Sequence, residues 1–270
     1  MNKLIDALLK STEPSIRYKM RVNVLLEEPS SKTVMEVRKE VGNSEVVKTL
    51  LANRDKSGKI PPLEDPYSKW IGAHWVFTHL ADIGYPTNDT TLKPIQDQLF
   101  ENWLNPQWFP HVRRINGWAR THASQHGNFL WASLKLGLDD DRNHTIAKYL
   151  LSWQWPDGGW NCDENPRAMN SSFWESLLPF RALSLYARTF NDKAALEASN
   201  RASEIFLKRV LFKKRSDGSI MNKQFVQLHY PCYWRYDILH ALKVMAEAGF
   251  INDSRCAGAL DLLVLQRKLI

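Results

Sequence analysis

Apolar residues recur along this chain at spacings of three and four, and strand-like alternation bounded by turns is hard to find, so the pattern predicts helices nearly throughout. The segment from Asn2 to about Leu26 reads as a helix interrupted near Pro14, and a second helix follows around Ser31 to Val41. After that the pattern settles into pairs. Ser44 to Asn53 and Tyr67 to Ile83 are joined by RDKSGKIPPLEDP, and Gly84 ends the second helix. Leu92 to Leu104 and His122 to Leu136 flank a long loop rich in Pro, Trp and Arg. Asn143 to Trp153 and Ser172 to Arg188 flank WPDGGWNCDENPRAMN. Lys193 to Phe212 and Tyr230 to Ala248 form a fourth pair. Ser254 to Ile270 reads as the first helix of a fifth, with Gln266 where its loop would begin. The period is roughly 50 to 60 residues, within the range of helical repeat proteins.

The stretch YLLSWQWPDGGW, Tyr149 to Trp160, shows how one pair is joined. Tyr149, Leu150 and Leu151 finish an amphipathic helix, and Pro156 forbids its continuation by removing a backbone donor and restricting the residue before it. Asp157-Gly158-Gly159 turns the chain. Trp160 then returns a large ring to the surface just left, while Gln154 is placed to bond backbone groups freed at the helix end. The spacing aromatic-Leu-x3-Gln-x3-Gly-x-Trp at Tyr149, Leu150, Gln154, Gly158 and Trp160 resembles the QW repeat of squalene and oxidosqualene cyclases, of which protein prenyltransferase β subunits carry a looser version. The resemblance implies an all-α fold, an α/α toroid of helical hairpins arranged as inner and outer rings. It would form one domain over 1–270, with N-terminal helices in 1–42, then about four repeats and the outer helix of a fifth in 43–270. A toroid left incomplete at the C-terminus exposes an apolar edge, so a homo-oligomer is an expectation.

Composition agrees with a single compact domain: 270 residues, 44% hydrophobic and 24% charged, bury a sizeable core without disulfides. The three cysteines, Cys162, Cys232 and Cys256, lack CxxC spacing, which points to a reducing compartment and a cytoplasmic location. The start MNKLIDALLKS, its short apolar pattern broken by Asp6 and Lys10, does not read as a signal peptide, and no apolar run approaches the ~18 residues of a membrane span. A net charge of +7 invites a nucleic-acid reading. Its densest cluster, Lys208, Arg209, Lys213, Lys214 and Arg215, however, lies at a helix end and in the loop after it, where cations suit the helix dipole. A solvated loop is therefore the first reading. An anionic membrane surface touched peripherally, or a diphosphate-bearing ligand, is the alternative, and nucleic acid is not an expected partner.

In each pair the second helix is the more apolar, and as an inner-ring helix it would turn its first residues toward the mouth of a central cavity. The candidates there are Trp70 and His74, His122 and His126, Ser172 and Glu175, and His229, Tyr230, Tyr233 and Asp237. Members four residues apart share a helical face: His122 with His126, Trp70 with His74, Tyr230 with Trp234, Tyr233 with Asp237. Polar groups inside a hydrophobic ring are costly unless they pair, bind water or serve a ligand. Glu175, one turn into an apolar helix, reads as a general acid if unpaired, or as half of a buried pair with Arg181 or a histidine. Glu175 or Asp163 would be the catalytic acid, assisted by His126 and His229, with Trp70, His74, His122, Trp174, Tyr230, Tyr233 and Asp237 contacting substrate.

The resemblance sharpens and limits this chemistry. Prenyltransferases hold zinc with Asp-x-Cys ahead of an inner helix and a histidine from a later His-x-Cys-Tyr stretch. His229 to Tyr233 is similar to the second with one residue inserted, but Ala168 and Asn170 replace the first, so a zinc here would need Cys162 and Asp163 with His229. Absence of cofactor is the leading expectation and zinc the alternative. Cyclases protonate an alkene with Asp-x-Asp-Asp on an inner helix. The acidic run here, Asp139 to Asp141, falls between helices and reads as an N-cap. Eleven Trp, 8 Tyr and 11 Phe supply material for an aromatic pocket, although rings at helical spacing also serve as core. Three readings stay open: a protein of this group acting on or binding a hydrophobic, isoprenoid-type small molecule with acid-base assistance; a non-catalytic toroid that binds a ligand or a protein; and a carbohydrate-processing α/α barrel using Asp163 and Glu175 as paired carboxylates.

Overall fold

The computed structural model describes residues 3–107 and 109–267, and the regular structure in them is helical apart from one short hairpin. In chain order the helices are α1 (Lys3–Leu9), α2 (Pro14–Lys19), α3 (Lys32–Gly42), α4 (Glu45–Leu51), α5 (Ala73–Ile83), α6 (Lys93–Trp103), α7 (Ala123–Lys135), α8 (Asp141–Trp153), α9 (Phe173–Phe190), α10 (Lys193–Leu207), α11 (Ile238–Ala248) and α12 (Ala257–Arg267). Their starts follow from local chemistry. Ser31, Ser44, Asp140, Ser172, Asp192 and Asp237 each accept a first-turn N–H on the side chain, satisfying donors that the helix itself cannot. Asp140 in this role agrees with the reading of the acidic run as a cap. No helix among the described residues is long and apolar enough to cross a membrane.

Packing divides the chain into two compact units, 1–103 with 132–139, and 104–131 with 140–270. In the first, α2 packs on α3 and α5, and α4 and α6 pack on α5. The core of α5 is Trp75, Phe77, Leu80 and Ile83. In the second, α9 is central, packing on α8, α10 and α11, while α12 lies on α11. Nearly every side chain of α9 from Phe173 to Ala187 is buried, so its apolar residues run around the helix instead of along one stripe. Gly127 of α7 meets this helix so closely that a Cβ built on it would lie 2.5 Å from the backbone nitrogen of Pro179.

The joint at Tyr149 to Trp160 forms as its sequence suggests. The indole of Trp160 is fully buried, and its Nε1 donates to the Leu150 carbonyl at 2.9 Å, one of the last carbonyls of α8. Gly158 turns the chain at φ 103°, and its amide donates to the Trp155 carbonyl at 2.9 Å. The Gln154 amide donates to the Gly158 carbonyl at 2.7 Å and to the Ala198 carbonyl of α10 at 2.8 Å.

Two of the expected helices start later than their spacing suggests. The helix expected from Tyr67 starts only at Ala73, because the chain folds back through turns and the His74 amide donates to the Pro66 carbonyl at 2.9 Å. Trp70 therefore lies before the helix and shares no helical face with His74. The helix expected from Tyr230 starts at Ile238: the Asp237 carboxylate caps it, and Tyr233 sits at φ 49°, outside helical geometry. The pairings of Tyr230 with Trp234 and Tyr233 with Asp237 dissolve with it. In the long loop before α7, Arg114–Ile115 and Trp118–Ala119 (β1 and β2) form an antiparallel hairpin. Asn116 and Gly117 turn it with φ 54° and 80°, the paired positive values that an Asn-Gly hairpin turn requires.

Candidate metal centre

Within the second unit, three side chains from separate segments converge. His122 precedes α7, Cys162 lies in the loop after the Trp160 joint, and Glu175 occupies the first turn of α9. One ligand atom from each, an imidazole nitrogen, the thiol sulfur and a carboxylate oxygen, all lie within 4.8 Å of one another.

Their convergence is built by backbone chemistry. The hairpin delivers Arg120, whose guanidinium is buried over the Trp155 ring at 4.3 Å and donates to the carbonyls of Asp163 at 2.9 Å and Ala168 at 3.1 Å. The Thr121 amide donates to the Asn161 carbonyl at 3.3 Å. At the base of the loop, the Ser172 amide donates to the Trp160 carbonyl at 2.8 Å and the Trp160 amide to Ser176 Oγ at 3.0 Å, which fastens the loop to the start of α9. Glu175 Oε2 accepts the Ser124 amide of α7 at 3.0 Å, so one helix's carboxylate satisfies an orphan donor of another, where the dipole favours negative charge. Its Oε1 stands 3.1 Å from His122 Nδ1.

Burial grades across the cluster. The Glu175 side chain is 10% exposed, Cys162 is half-buried, and the His122 side chain is 62% exposed, so the centre is reached from the imidazole side. The Cys162 thiol first and the Glu175 carboxylate second push the His122 pKa up to about 10, against partial desolvation. The ring therefore keeps its proton through neutral pH in the metal-free protein. Because the folded value is raised, the stability this pairing contributes is complete below the ordinary imidazole range and is lost as pH rises toward about 10. In metal-free protein the His122 ring protons, followed by NMR, are expected to titrate well above the ordinary value, and Glu175→Gln should move the midpoint down. A midpoint unmoved by that substitution would detach His122 from Glu175.

The remaining candidates are placed as follows. Asp163, exposed, accepts the Asn165 amide at 2.9 Å inside its own loop. The loop thus offers Cys162 to the cluster, and the expected pairing of Asp163 with Glu175 is not formed there. Both oxygens of Glu175 are engaged by the Ser124 amide and His122, so it acts as an acceptor. Of the partners expected for it, a histidine stands beside the carboxylate, whereas Arg181 pairs with Glu247 at 2.6 Å. His126 is buried beside the rings of Phe109 and Trp153 and does not join His122. His229 is engaged elsewhere: its Nδ1 is 3.1 Å from Asp237 Oδ2, and its amide donates to the same oxygen at 2.9 Å. Asp237 is fully buried and also accepts the His240 amide at 2.8 Å. Cys162 is therefore grouped with His122 and Glu175, and not with Asp163 and His229, as the set of side chains that could hold a metal ion.

Trp174 is half-buried against Phe225, Tyr230 is 72% exposed, and burial raises the pKa of Tyr233. In the first unit, Trp70 is partly exposed on Trp75, and His74 is buried among Tyr67, Trp75 and Trp103. Two contributors escaped sequence reasoning. The Ser124 amide carries no side-chain signal at all. Arg120 had one, since an arginine just after an Asn-Gly hairpin is delivered to a fixed place. No family model, curated protein or solved structure matches this chain.

Proposed function

We propose that this chain is a zinc-dependent enzyme of the α/α-toroid type, with His122, Cys162 and Glu175 as the protein ligands. The observation that carries the proposal is the convergence of one nitrogen, one sulfur and one oxygen donor within 4.8 Å. The donor set fits zinc, a borderline-soft ion that accepts all three ligand types and that catalytic sites hold with three protein ligands and an open position. Zinc in such a site supplies Lewis acidity, or lowers the pKa of a bound water or thiol.

The chain's own residues do the holding and orienting. Ser124 and His122 fix the carboxylate from two sides, Arg120 and Thr121 fix the backbone on either side of Cys162, and the exposed imidazole marks the side from which a substrate arrives. The toroid is supported by the succession of helical hairpins in which α9 packs on both α8 and α11 and meets α7 at Gly127. It is supported too by the Trp160 joint, whose contacts are those its motif implies. That motif also carries the proposed substrate class, a hydrophobic isoprenoid-type molecule. Asp163, turned into its own loop, favours this reading over paired-carboxylate sugar chemistry.

The test is metal content and cobalt substitution of the purified chain. Wild type should hold about one zinc per chain, and its cobalt form should show a thiolate-to-metal absorption band. Cys162→Ser should abolish that band, and His122→Ala and Glu175→Gln should weaken zinc binding, while Cys232→Ser should change neither. A Cys162→Ser variant that binds zinc as wild type does would sink the proposal.

A further inference from the structure

The carbonyls on either side of Cys162 are held by the two residues that immediately precede His122. On its N-terminal side the Asn161 carbonyl receives the Thr121 amide at 3.3 Å, and on its C-terminal side the Asp163 carbonyl receives Arg120 Nη1 at 2.9 Å. The same guanidinium reaches Ala168 with Nη2 at 3.1 Å, so one planar cation closes the segment from 163 to 168 on itself. A guanidinium suits this task because its donors diverge at fixed angles within one plane, whereas an ammonium presents a single point charge. Arg120 is only 5% exposed and rests on the face of Trp155, and the Trp155 indole donates to the Ala119 carbonyl at 2.8 Å, one residue before Arg120. The result is a closed set of contacts: Ala119 holds Trp155, Trp155 supports Arg120, and Arg120 holds the loop beside Cys162.

From this geometry we infer that Arg120 is a positioning residue that sets the distance between the Cys162 sulfur and His122, and thereby the metal affinity of the centre. The inference rests on the zinc reading for its effect on affinity, but the placement of Cys162 can be tested without metal. Arg120 itself touches no ligand atom in this scheme. It acts through two carbonyls, and partners of this kind, one step removed from the metal, typically change affinity about 10- to 100-fold when altered.

The experiment compares wild type with Arg120→Lys and Arg120→Met, the first keeping the charge and the second keeping much of the bulk. Zinc affinity is measured by competition with a chromophoric chelator, the cobalt spectrum is recorded, and Cys162 alkylation by iodoacetamide in the metal-free protein is followed by mass spectrometry. Arg120→Met should bind zinc about 10- to 100-fold more weakly and shift the thiolate-to-cobalt band, with Arg120→Lys between it and wild type. Cys162 alkylation should change in rate in both variants, while that of Cys232 should not. Arg181→Lys, which alters another buried arginine, controls for general loss of stability and should leave the cobalt band in place. The inference is overturned if both Arg120 variants keep wild-type zinc affinity and Cys162 reactivity while folded. If wild type itself binds no zinc but Cys162 reactivity still follows Arg120, the metal reading fails and the positioning role stands.

Discussion

Trp160→Ala is expected to destabilise the second unit by about 3–5 kcal/mol, the range for removing a fully buried large aromatic side chain. The indole is completely enclosed, and its Nε1 closes onto the Leu150 carbonyl near the C-terminal end of α8, so truncation opens a cavity and strands a helix-end acceptor together. Trp160→Phe separates the two effects: it keeps most of the ring and loses the donor, and should cost less. Because the chain has two compact units, a single melting curve would mix their responses. Hydrogen exchange at the amides of α8 and α9 is the sharper measurement, and protection there should fall while that of α5 is kept. A loss below about 1 kcal/mol would show that the joint closes without its tryptophan.

Gly127→Ala is expected to be at least as damaging, against the usual rule. In a helix interior, alanine is normally favoured over glycine by about 1 kcal/mol. Here the added Cβ would lie 2.5 Å from the Pro179 nitrogen and 2.7 Å from the Leu178 carbonyl carbon, backbone atoms that cannot swing aside. Helices α7 and α9 must separate, with a cost at or above the roughly 3 kcal/mol upper range of ordinary overpacking. The separation would also draw His122 away from Glu175, so metal affinity should fall with stability. Gly258→Ala in α12 is the control. Its Cβ would meet only Val210 Cγ1 at 3.3 Å, and the substitution should be neutral or mildly stabilising. Both variants are read by chemical denaturation, and equal stabilities would remove the close crossing from the account.

The sequence made the helices legible because their signals are local. Period, caps such as Ser44 and Asp140, and the proline-glycine joint after α8 each act within a few residues. It misjudged Tyr67 to Gly72 and Tyr230 to Asp237 for a common reason. Apolar and aromatic residues there keep a helix-like spacing, but the chain's fold-back onto Pro66 in one case and a buried capping carboxylate in the other decide the backbone. The site was half legible. Glu175 was named from its odd place in an apolar helix, and Cys162 from its loop. What joined them was His122, expected to act beside His126 because the two share a helical face. The start of α7 at Ala123 leaves His122 on the solvent side while His126 is buried in aromatic packing. Nor could a reader of side chains foresee that the anchors of Glu175 and Cys162 are largely backbone groups.

The Gln154 side chain has a consequence beyond its own joint. Its amide nitrogen serves the Gly158 carbonyl within one hairpin and the Ala198 carbonyl on the helix that opens the next, and its oxygen receives Arg201 from that same helix. A single side chain thus ties the joint after α8 to α10, a contact of the nearest-neighbour kind that couples adjacent helical pairs. Without it, the two pairs would keep the packing of α9 on α10 and α11 but lose the polar tie between the joint after α8 and the flank of α10.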